Sequence, residues 1–386
     1  MWIKGLLVVG AALSLGACDG IFGSDDDDGS DGGAVFTMNN AASANYVVIY
    51  SRAEDGSLAR LDSVATGGKG SGPDPTFGTD PLTSQDAVIL SEDNRFLFVV
   101  NAGSNDVSSF RVSSSGRLTL VSRVTSGVMP VSLAQRGNLL YVLNGAGAGG
   151  INGYTIGADG ALTGLAGSAK PLSGAAMTAP GSIRINPSGT VLAVTEKATN
   201  KLDLYVLGAD GTPSGPTVVP SPGPTPFGAD FDEAGRYVLS QGNIGPNRAA
   251  VPDGSSASSL TLGSSLSASV LSNSVPTTET AACWVQITPD GRFAYTTNTG
   301  SGSITGFSIS ASGTLTPLSA DGKTGITGTG TQPLDMAYAG GYLYALTAGD
   351  RGIHAFRVGS DGSLTALTTA GVAGDLPISV TGLAAM

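Results

Sequence analysis

One spacing recurs along this chain and limits the folds open to it: an aromatic residue is followed six positions later by a glycine. Most of these units continue as Gly-x-Leu, as in Phe356…Gly362…Leu364. The pattern predicts an alternating strand, a turn in which glycine accepts a positive φ, and a second strand. The units are Tyr50…Gly56, Phe110…Gly116, Tyr154…Gly160, Tyr205…Gly211, Phe307…Gly313 and Phe356…Gly362.

A second landmark falls between these units, where a turn residue precedes an apolar strand such as residues 95–101. Successive landmarks are 43, 52, 46, 56 and 49 residues apart. This period is typical of one four-stranded antiparallel sheet per repeat, which is the size of a β-propeller blade. The landmark residues are Asn94, Gly137, Gly189, Gly235, Gly291 and Gly340.

The two landmark sets are incomplete in complementary places. The Ser-rich residues 250–275 lack the aromatic…Gly unit, which suggests a degenerate outer pair of strands there. The first repeat lacks its inner turn, but residues 377–384 read as an inner strand without a partner. We therefore expect this C-terminal strand to complete the blade begun by residues 34–64, which would leave no unpaired sheet edge. The predicted fold is an all-β, seven-bladed β-propeller of four-stranded antiparallel blades; a β-solenoid would show shorter periods.

The N-terminus predicts export. Residues 5–15 form a short apolar run that ends in Leu15-Gly16-Ala17-Cys18, the pattern of a bacterial lipobox. We expect a signal peptide over 1–17, a lipidated Cys18 with a flexible acidic tether over 18–33, and the propeller over 34–386. An ordinary secretory signal that contains a cysteine is the alternative. The expected location is the bacterial cell envelope, periplasmic or surface-exposed, with the membrane as a partner through the lipid.

Composition excludes several functions. A formal net charge of −11 without basic clusters argues against nucleic acid as a partner. His354 is the only histidine, and once Cys18 is lipidated Cys283 stands alone, so neither a cysteine-based metal site nor a Cys–His nucleophile has enough parts. The glycines are turn residues rather than a phosphate loop. We expect no metal, no cofactor and a monomer, with Cys283 a small buried hydrophobe.

Antiparallel order places the start of strand 1 and the end of strand 2 of every blade at one end of the channel, which is where a small-molecule site is expected. Two charges, Glu196 and Lys197, leave a strand at this mouth; they are either a functional carboxylate with a neighbouring cation or a solvated ion pair. Trp284 is a candidate aromatic platform or a filler between blades, and Phe227 starts another inner strand. Arg184 alternates with isoleucines, so it faces a ligand or a buried carboxylate.

Four segments carry a resemblance to the seven-bladed β-propeller lactonase family, which includes 6-phosphogluconolactonases and carboxymuconate cyclases. They are residues 185–189 (INPSG), 194–200 (VTEKATN), 225–228 (TPFG) and 280–285 (TAACWV), and they are especially similar to a secreted bacterial lipoprotein branch.

The resemblance implies a propeller with lactone-opening activity, but two of its motifs are altered. Family lactonases carry Pro-Arg-His at the start of the blade that bears the strand-exit glutamate, and this chain has residues 180–182 (PGS) there. Residues 130–132 (PVS) likewise replace a Pro-His-Ser motif. Glu196 is retained at the glutamate position. The missing histidines favour binding over hydrolysis, whereas the retained glutamate keeps hydrolysis open.

We therefore expect an envelope-anchored propeller that binds a small polar or cyclic ligand at the channel mouth. Lactone hydrolysis would use Glu196 as the base and Lys197 or Arg184 to stabilise the oxyanion. The alternative is a non-catalytic scaffold that binds an envelope protein or a polysaccharide. A deep pocket where Glu196, Lys197 and Trp284 converge would favour a small molecule, and a plugged mouth would favour a protein partner.

Overall fold

A computed structural model of the chain describes residues 1–2, 32–73, 80–245, 249–263, 265–367 and 371–386. Cys18 and the acidic run 25–28 lie outside the described residues, so the expectations placed on them stay predictions. Thirty strands are described. Within the described ranges there is no helix of the length and apolarity that crossing a membrane requires.

The strands form seven antiparallel sheets, each ordered from an inner strand 1 to an outer strand 4, which confirms the predicted propeller. Blade 1 is β30 (Thr381–Ala385), β1 (Gly33–Met38), β2 (Tyr46–Arg52) and β3 (Leu58–Ala65). Blade 2 consists of β4 (Val88–Leu90), β5 (Phe96–Asn101), β6 (Asp106–Val112) and β7 (Leu118–Thr125). Blade 3 consists of β8 (Pro130–Arg136), β9 (Leu139–Asn144), β10 (Gly150–Ile156), β11 (Leu162–Gly164) and β12 (Lys170–Pro171). Blade 4 consists of β13 (Pro180–Ile185), β14 (Val191–Glu196), β15 (Lys201–Leu207) and β16 (Pro213–Pro220).

The remaining strands complete the ring. Blade 5 consists of β17 (Pro226–Phe231), β18 (Arg236–Gln241), β19 (Ser256–Leu262) and β20 (Ala268–Pro276). Blade 6 consists of β21 (Ala282–Ile287), β22 (Phe293–Asn298), β23 (Ser303–Ile309), β24 (Leu315–Pro317) and β25 (Gly325–Ile326). Blade 7 consists of β26 (Pro333–Ala339), β27 (Tyr342–Thr347), β28 (Gly352–Val358) and β29 (Leu364–Ala366). We call the end of the ring where each strand 1 begins and each strand 2 ends the mouth face, and the other end the rear face.

Ring closure follows the sequence prediction. The C-terminal β30 pairs with β1 in antiparallel register, with Phe36 opposite Ala384. Blade 1 therefore takes its inner strand from the end of the chain and its three other strands from the beginning. The first of these strands begins at Gly33, one residue before the predicted boundary.

Blade 5 corrects one prediction. Its outer strands, β19 and β20, are seven and nine residues long, so this pair is complete rather than degenerate. In this blade Leu260 stands where the other blades have the aromatic residue, and Leu266 stands where they have the glycine. Leu266 adopts φ +57°, a left-handed conformation that glycine usually supplies. The turn is therefore present although its sequence signature is absent.

The repeated glycine serves two purposes. Gly160 and Gly362 lie in strand 3–strand 4 turns at φ +91° and +83°. A Cβ at Gly160 would lie 2.4 Å from the ring of Phe96 in the preceding blade, and one at Gly362 would lie 2.5 Å from the ring of Phe293. The glycine thus permits the turn and also lets the neighbouring blade approach closely.

Buried tyrosines bond the blades to one another at the same turns. The hydroxyl of Tyr141 donates to the carbonyl of Gly211 at 2.6 Å, and that of Tyr344 donates to the carbonyl of Gly56 at 3.0 Å. Both side chains have no exposed surface. A buried phenol needs such a partner, so these bonds fix how adjacent blades are set against each other.

Candidate functional site

The channel is closed at the mouth face by residues 80–87, which precede β4 and which we call the plug. The side chain of Gln85 spans two blades, because its amide nitrogen donates to the carbonyls of Ala229 and Val285 at 3.2 and 2.9 Å. The backbone N–H of Val285 donates in turn to the Gln85 amide oxygen at 2.9 Å. Gln85 is 1 % exposed. The backbone hydrogen-bonding groups of Ala229 and Val285 in the inner strands are therefore satisfied by the side chain of Gln85.

Backbone bonds attach the plug to further blades. The N–H of Gln85 donates to the carbonyl of Gly181, and the N–H of Leu133 donates to the carbonyl of Asp86, at 2.9 and 3.0 Å. Asp80 accepts from the hydroxyl of Thr381 in blade 1 at 3.2 Å. The plug thus contacts blades 1 and 3 to 7 and occupies the place where a mouth ligand was expected.

An arginine with three carboxyl groups, one of them from the plug, lies inside the channel. Arg184 pairs with Asp86 at 2.7 Å and lies 3.7 Å from Asp230, while Asp335 accepts from the backbone N–H of Asp86 at 3.0 Å. Burial raises the pKa of Asp86 to about 7 and raises the pKa of Asp335 well above its usual range. Arg184 therefore faces buried carboxylates, which was one of the two alternatives for it.

Lys197, Phe227 and Trp284 do come together at the mouth, but around the plug. The Lys197 ammonium donates to the carbonyls of Thr83 and Pro180 and lies 4.6 Å from the Phe227 ring centroid. Burial lowers the pKa of Lys197 to about 8. The Trp284 ring lies 4.8 Å from that of Phe227, and its N–H donates to the carbonyl of Ser84 at 3.0 Å.

Glu196 lies at the mouth end of β14 but has no exposed surface. Its carboxylate accepts from the backbone N–H and the hydroxyl of Ser173, at 3.1 and 2.8 Å, and from the hydroxyl of Thr199. It faces away from the Lys197 ammonium, so the two do not form the solvated ion pair considered above. The carboxylate is thus held between strand and loop rather than presented to the channel.

Asp203 in β15 is the partner that the sequence analysis missed. Burial, the hydrogen bond with Glu196 and the charge of Glu196 raise the pKa of Asp203 to about 8. Burial alone would raise the pKa of Glu196, but the bonds from Asp203, Thr199 and Ser173 outweigh it and hold that pKa below its usual range. At neutral pH the Asp203 carboxylic acid therefore donates to the Glu196 carboxylate.

This two-acid pair occupies a position that recurs in six blades. The residue that ends strand 2 stands diagonally across from a polar residue of strand 3, which is a usual place for a cross-strand contact. In blade 5 this strand-2 residue is Gln241. The pairs are Asn101 with Ser108, Asn144 with Asn152, Glu196 with Asp203, Gln241 with Ser258, Asn298 with Thr305, and Thr347 with His354.

In four of the other blades an amide side chain makes this contact. Asn101 donates to Ser108 at 2.8 Å, and Asn298 donates to Thr305 at 2.9 Å. The equivalent positions indicate that Glu196 has a structural role in blade 4. A signal for this was present in the sequence, because Asp203 follows Glu196 by seven residues, as Ser108 follows Asn101 and Thr305 follows Asn298.

Two further side chains considered in the sequence analysis are His354 and Cys283. His354 is in strand 3 of blade 7, and its Nε2 lies 2.7 Å from a carboxylate oxygen of Asp350. Cys283 is buried and unpaired, and burial raises the pKa of its thiol to about 12, so the thiol is not a nucleophile at neutral pH. Among the residues that the structure describes, no group of three or more His, Cys, Asp or Glu side chains is placed to hold a metal ion.

Sequence comparison identifies one family. The family described as "Lactonase, 7-bladed beta-propeller" matches residues 30–245 and 255–381. Among curated proteins, none matches the sequence significantly.

Solved structures share the fold. The chain is similar to the periplasmic gluconolactonase of Pseudomonas aeruginosa, with a TM-score of 0.70 and 19 % identity over 92 % of this chain and 99 % of that one. It is also similar to a candidate 6-phosphogluconolactonase from Bacteroides uniformis, with a TM-score of 0.66 and 19 % identity over 91 % and 99 % of the two chains. At this identity the likeness concerns the fold alone.

Proposed function

The chain belongs to the lactonase family of seven-bladed β-propellers, and from this membership we propose that it is an envelope-anchored propeller that binds a small polar or cyclic ligand at its mouth face without hydrolysing it. One observation carries the second half of the proposal: Glu196, the glutamate retained from the family, has no exposed surface. Its carboxylate is instead bonded to Ser173, Thr199 and Asp203.

Lactone hydrolysis needs a base that reaches water and a cation or donor that stabilises the oxyanion. Glu196 cannot approach a water molecule without breaking its bonds to Ser173. The two cations predicted as stabilisers are also engaged, since Lys197 donates to Thr83 and Pro180 and Arg184 pairs with Asp86. The plugged mouth, which by the criterion above favours a protein partner, argues against a ligand within the channel. A small ligand is still supported, because a cavity of about 400 Å³ opens on the same face beside the connection from β7 to β8.

The place where the chain enters the ring supports the anchoring part of the proposal. β1 begins at Gly33 on the rear face, where the N–H of Ala34 donates to the carbonyl of the C-terminal Met386 at 3.2 Å. A lipid on Cys18, fifteen residues before Gly33 in the sequence, would hold this face toward the membrane. The mouth face would then point away from the membrane and be open to a ligand.

The direct test is turnover of a lactone panel, sugar-derived and muconate-derived, by the purified chain and by a Glu196→Gln variant. We expect no turnover above the uncatalysed rate from either protein, and a change in stability from the substitution. Turnover by the wild type that disappears in the variant would overturn the proposal and make Glu196 a catalytic base.

A second candidate function is binding of an envelope protein or polysaccharide across the plugged mouth. Three of the most exposed large apolar side chains lie in connections that reach this face: Val128, Met177 and Ile378 are 62 %, 68 % and 64 % exposed. Exposed apolar groups of this kind are typical of protein contacts. Substituting Met177 and Ile378 by serine would weaken such a complex and leave the binding of a small ligand unchanged.

A further inference from the structure

We propose that the small ligand is a carboxylated sugar ring, a uronic acid, and that it binds in a cavity of blade 3 at the rim of the mouth face, outside the channel. This inference rests on the proposed binding function and gives it a site and a ligand class. The cavity has a volume of about 400 Å³ and lies beside the connection from β7 to β8.

The cavity lies where the outer strand of this blade is interrupted. Blades 2, 4 and 5 have an outer strand of eight or nine residues, whereas blade 3 has β11 and β12, of three and two residues. Across from this break, residues 145–150 read GAGAGG, and Gly147 and Gly149 adopt φ +62° and +73°. Small side chains and a broken strand together leave the space open.

Lys170 supplies a positive charge to this space. It lines the cavity and is half-buried. Within the described ranges, no carboxylate or carbonyl is bonded to its ammonium group, in contrast to Lys197, which donates to Thr83 and Pro180. An ammonium group without a partner at the wall of a cavity favours an anionic ligand group, because a charged donor and a charged acceptor form a strong hydrogen bond.

The rest of the lining suits a sugar ring. Val128 and Pro171 provide exposed apolar surface for the C–H face of a ring. Asn152 uses its amide oxygen to accept from Asn144 at 2.9 Å, and this leaves its N–H groups as donors to ligand hydroxyls. A uronic acid whose carboxylate pairs with the Lys170 ammonium and whose ring packs against Pro171 would use all of these groups.

The test is isothermal titration of the full chain, purified in detergent, with D-glucuronate and with D-glucose, which differ only in a carboxylate against a hydroxymethyl group. We expect glucuronate to bind at least tenfold more tightly than glucose, and this preference to shrink in high salt. Lys170→Met should lower the affinity for glucuronate at least tenfold. Lys69→Met, which removes an exposed charge outside the cavity on the same face, should leave the affinity unchanged.

Ala169→Phe provides a second variant that fills the cavity without removing a charge, and it should abolish binding of both sugars. If glucuronate binds the wild type and both cavity variants alike, the site is wrong although the proposed binding function stands. If glucose binds as tightly as glucuronate, the role given to Lys170 is wrong. If neither sugar binds the wild type, the inference fails, and the lactone panel then decides separately on hydrolysis.

Discussion

The rim of the rear face and the interior of the channel are held together by different interactions. At the rear face, ion pairs such as Arg95 with Asp93 lie at 3.7 Å with both side chains more than half exposed, although Arg236 and Asp232 also form a buried pair there. Inside the channel, Arg184 and Asp86 pair at 2.7 Å with 19 % and 11 % of their side chains exposed. Exposed pairs contribute little to stability, whereas breaking a buried pair is costly. The difference indicates that the contacts of the plug inside the channel contribute more to stability than the exposed ion pairs of the rear rim.

The largest effect is expected from Arg184→Met. The substitution leaves Asp86, Asp230 and Asp335 buried without their cation, and we expect a loss of about 3 to 5 kcal/mol in the free energy of unfolding at pH 8. The loss should be smaller at pH 5, because the unpaired carboxyl groups then take up protons. Urea unfolding at both pH values measures this, and a loss below about 1 kcal/mol at pH 8 would contradict the buried cluster.

The next effect concerns the amide that spans two blades. Gln85→Ala removes the bonds to Ala229 and Val285 and leaves their backbone groups buried without partners. We expect a destabilisation of about 2 to 4 kcal/mol. Gln135→Ala is the matched control, because the half-buried Gln135 amide also joins two blades, through Gly137 and the backbone N–H of Glu92, but lies toward the rear face outside the channel. Urea unfolding measures both losses. Equal losses in the free energy of unfolding would show that the plug contributes no more to stability than a side chain at the rear face.

A smaller, pH-dependent effect distinguishes blade 4 from its neighbours. The folded-state pKa of Asp203 is raised to about 8, so its contribution is full below its ordinary pKa and is lost as the pH rises toward 8. An amide at this position donates to Glu196 at every pH. Asp203→Asn should therefore gain stability relative to the wild type by at most about 1.4 kcal/mol per pH unit between pH 5 and 8.

Other buried acids, such as Asp80 and Asp86, are present in both proteins and cancel in this difference. Glu233→Gln, at an exposed carboxylate of the rear face, should show no such trend. A stability difference between Asp203→Asn and wild type that does not change with pH would mean that Glu196 and Asp203 do not share a proton.

The smallest effect is expected at the rear face. Arg95→Ala removes an exposed ion pair with Asp93, and we expect the free energy of unfolding to change by less than about 1 kcal/mol. The residual effect should decrease further in 1 M salt, where exposed charges are screened. A loss as large as that from Arg184→Met would contradict the difference between the rear rim and the interior of the channel.

The parts of the fold that repeat were predictable from the sequence, because each glycine turn is local. Asn94 and Gly291, for example, adopt φ +57° and +66° as their spacing predicts. The complete outer pair of blade 5 was not predicted, since Leu266 takes the place of glycine. The plug was also not predicted, because residues 80–87 match no repeat and Gln85 contacts Val285 at a separation of 200 residues.

The candidate site was predictable in position but not in exposure. Strand order placed Glu196 and Lys197 at the mouth face, yet it could not tell that one side chain is covered by Ser173 and the other by Thr83. A comparison of the blades with one another indicates the role of Glu196 better than its motif does. Glu196 is equivalent to Asn101 and Asn298, and a residue at this position is expected to hold strands 2 and 3 together.

The most direct test of the closed mouth is amide hydrogen–deuterium exchange across residues 80–87 in the full chain. The N–H groups of Gln85 and Asp86 donate to Gly181 and Asp335 inside the channel. We predict that these two amides exchange as slowly as the inner strand β13, and that glucuronate leaves their exchange unchanged. Exchange as fast as in an exposed loop would contradict the account, because the channel would then be open to a ligand and to water.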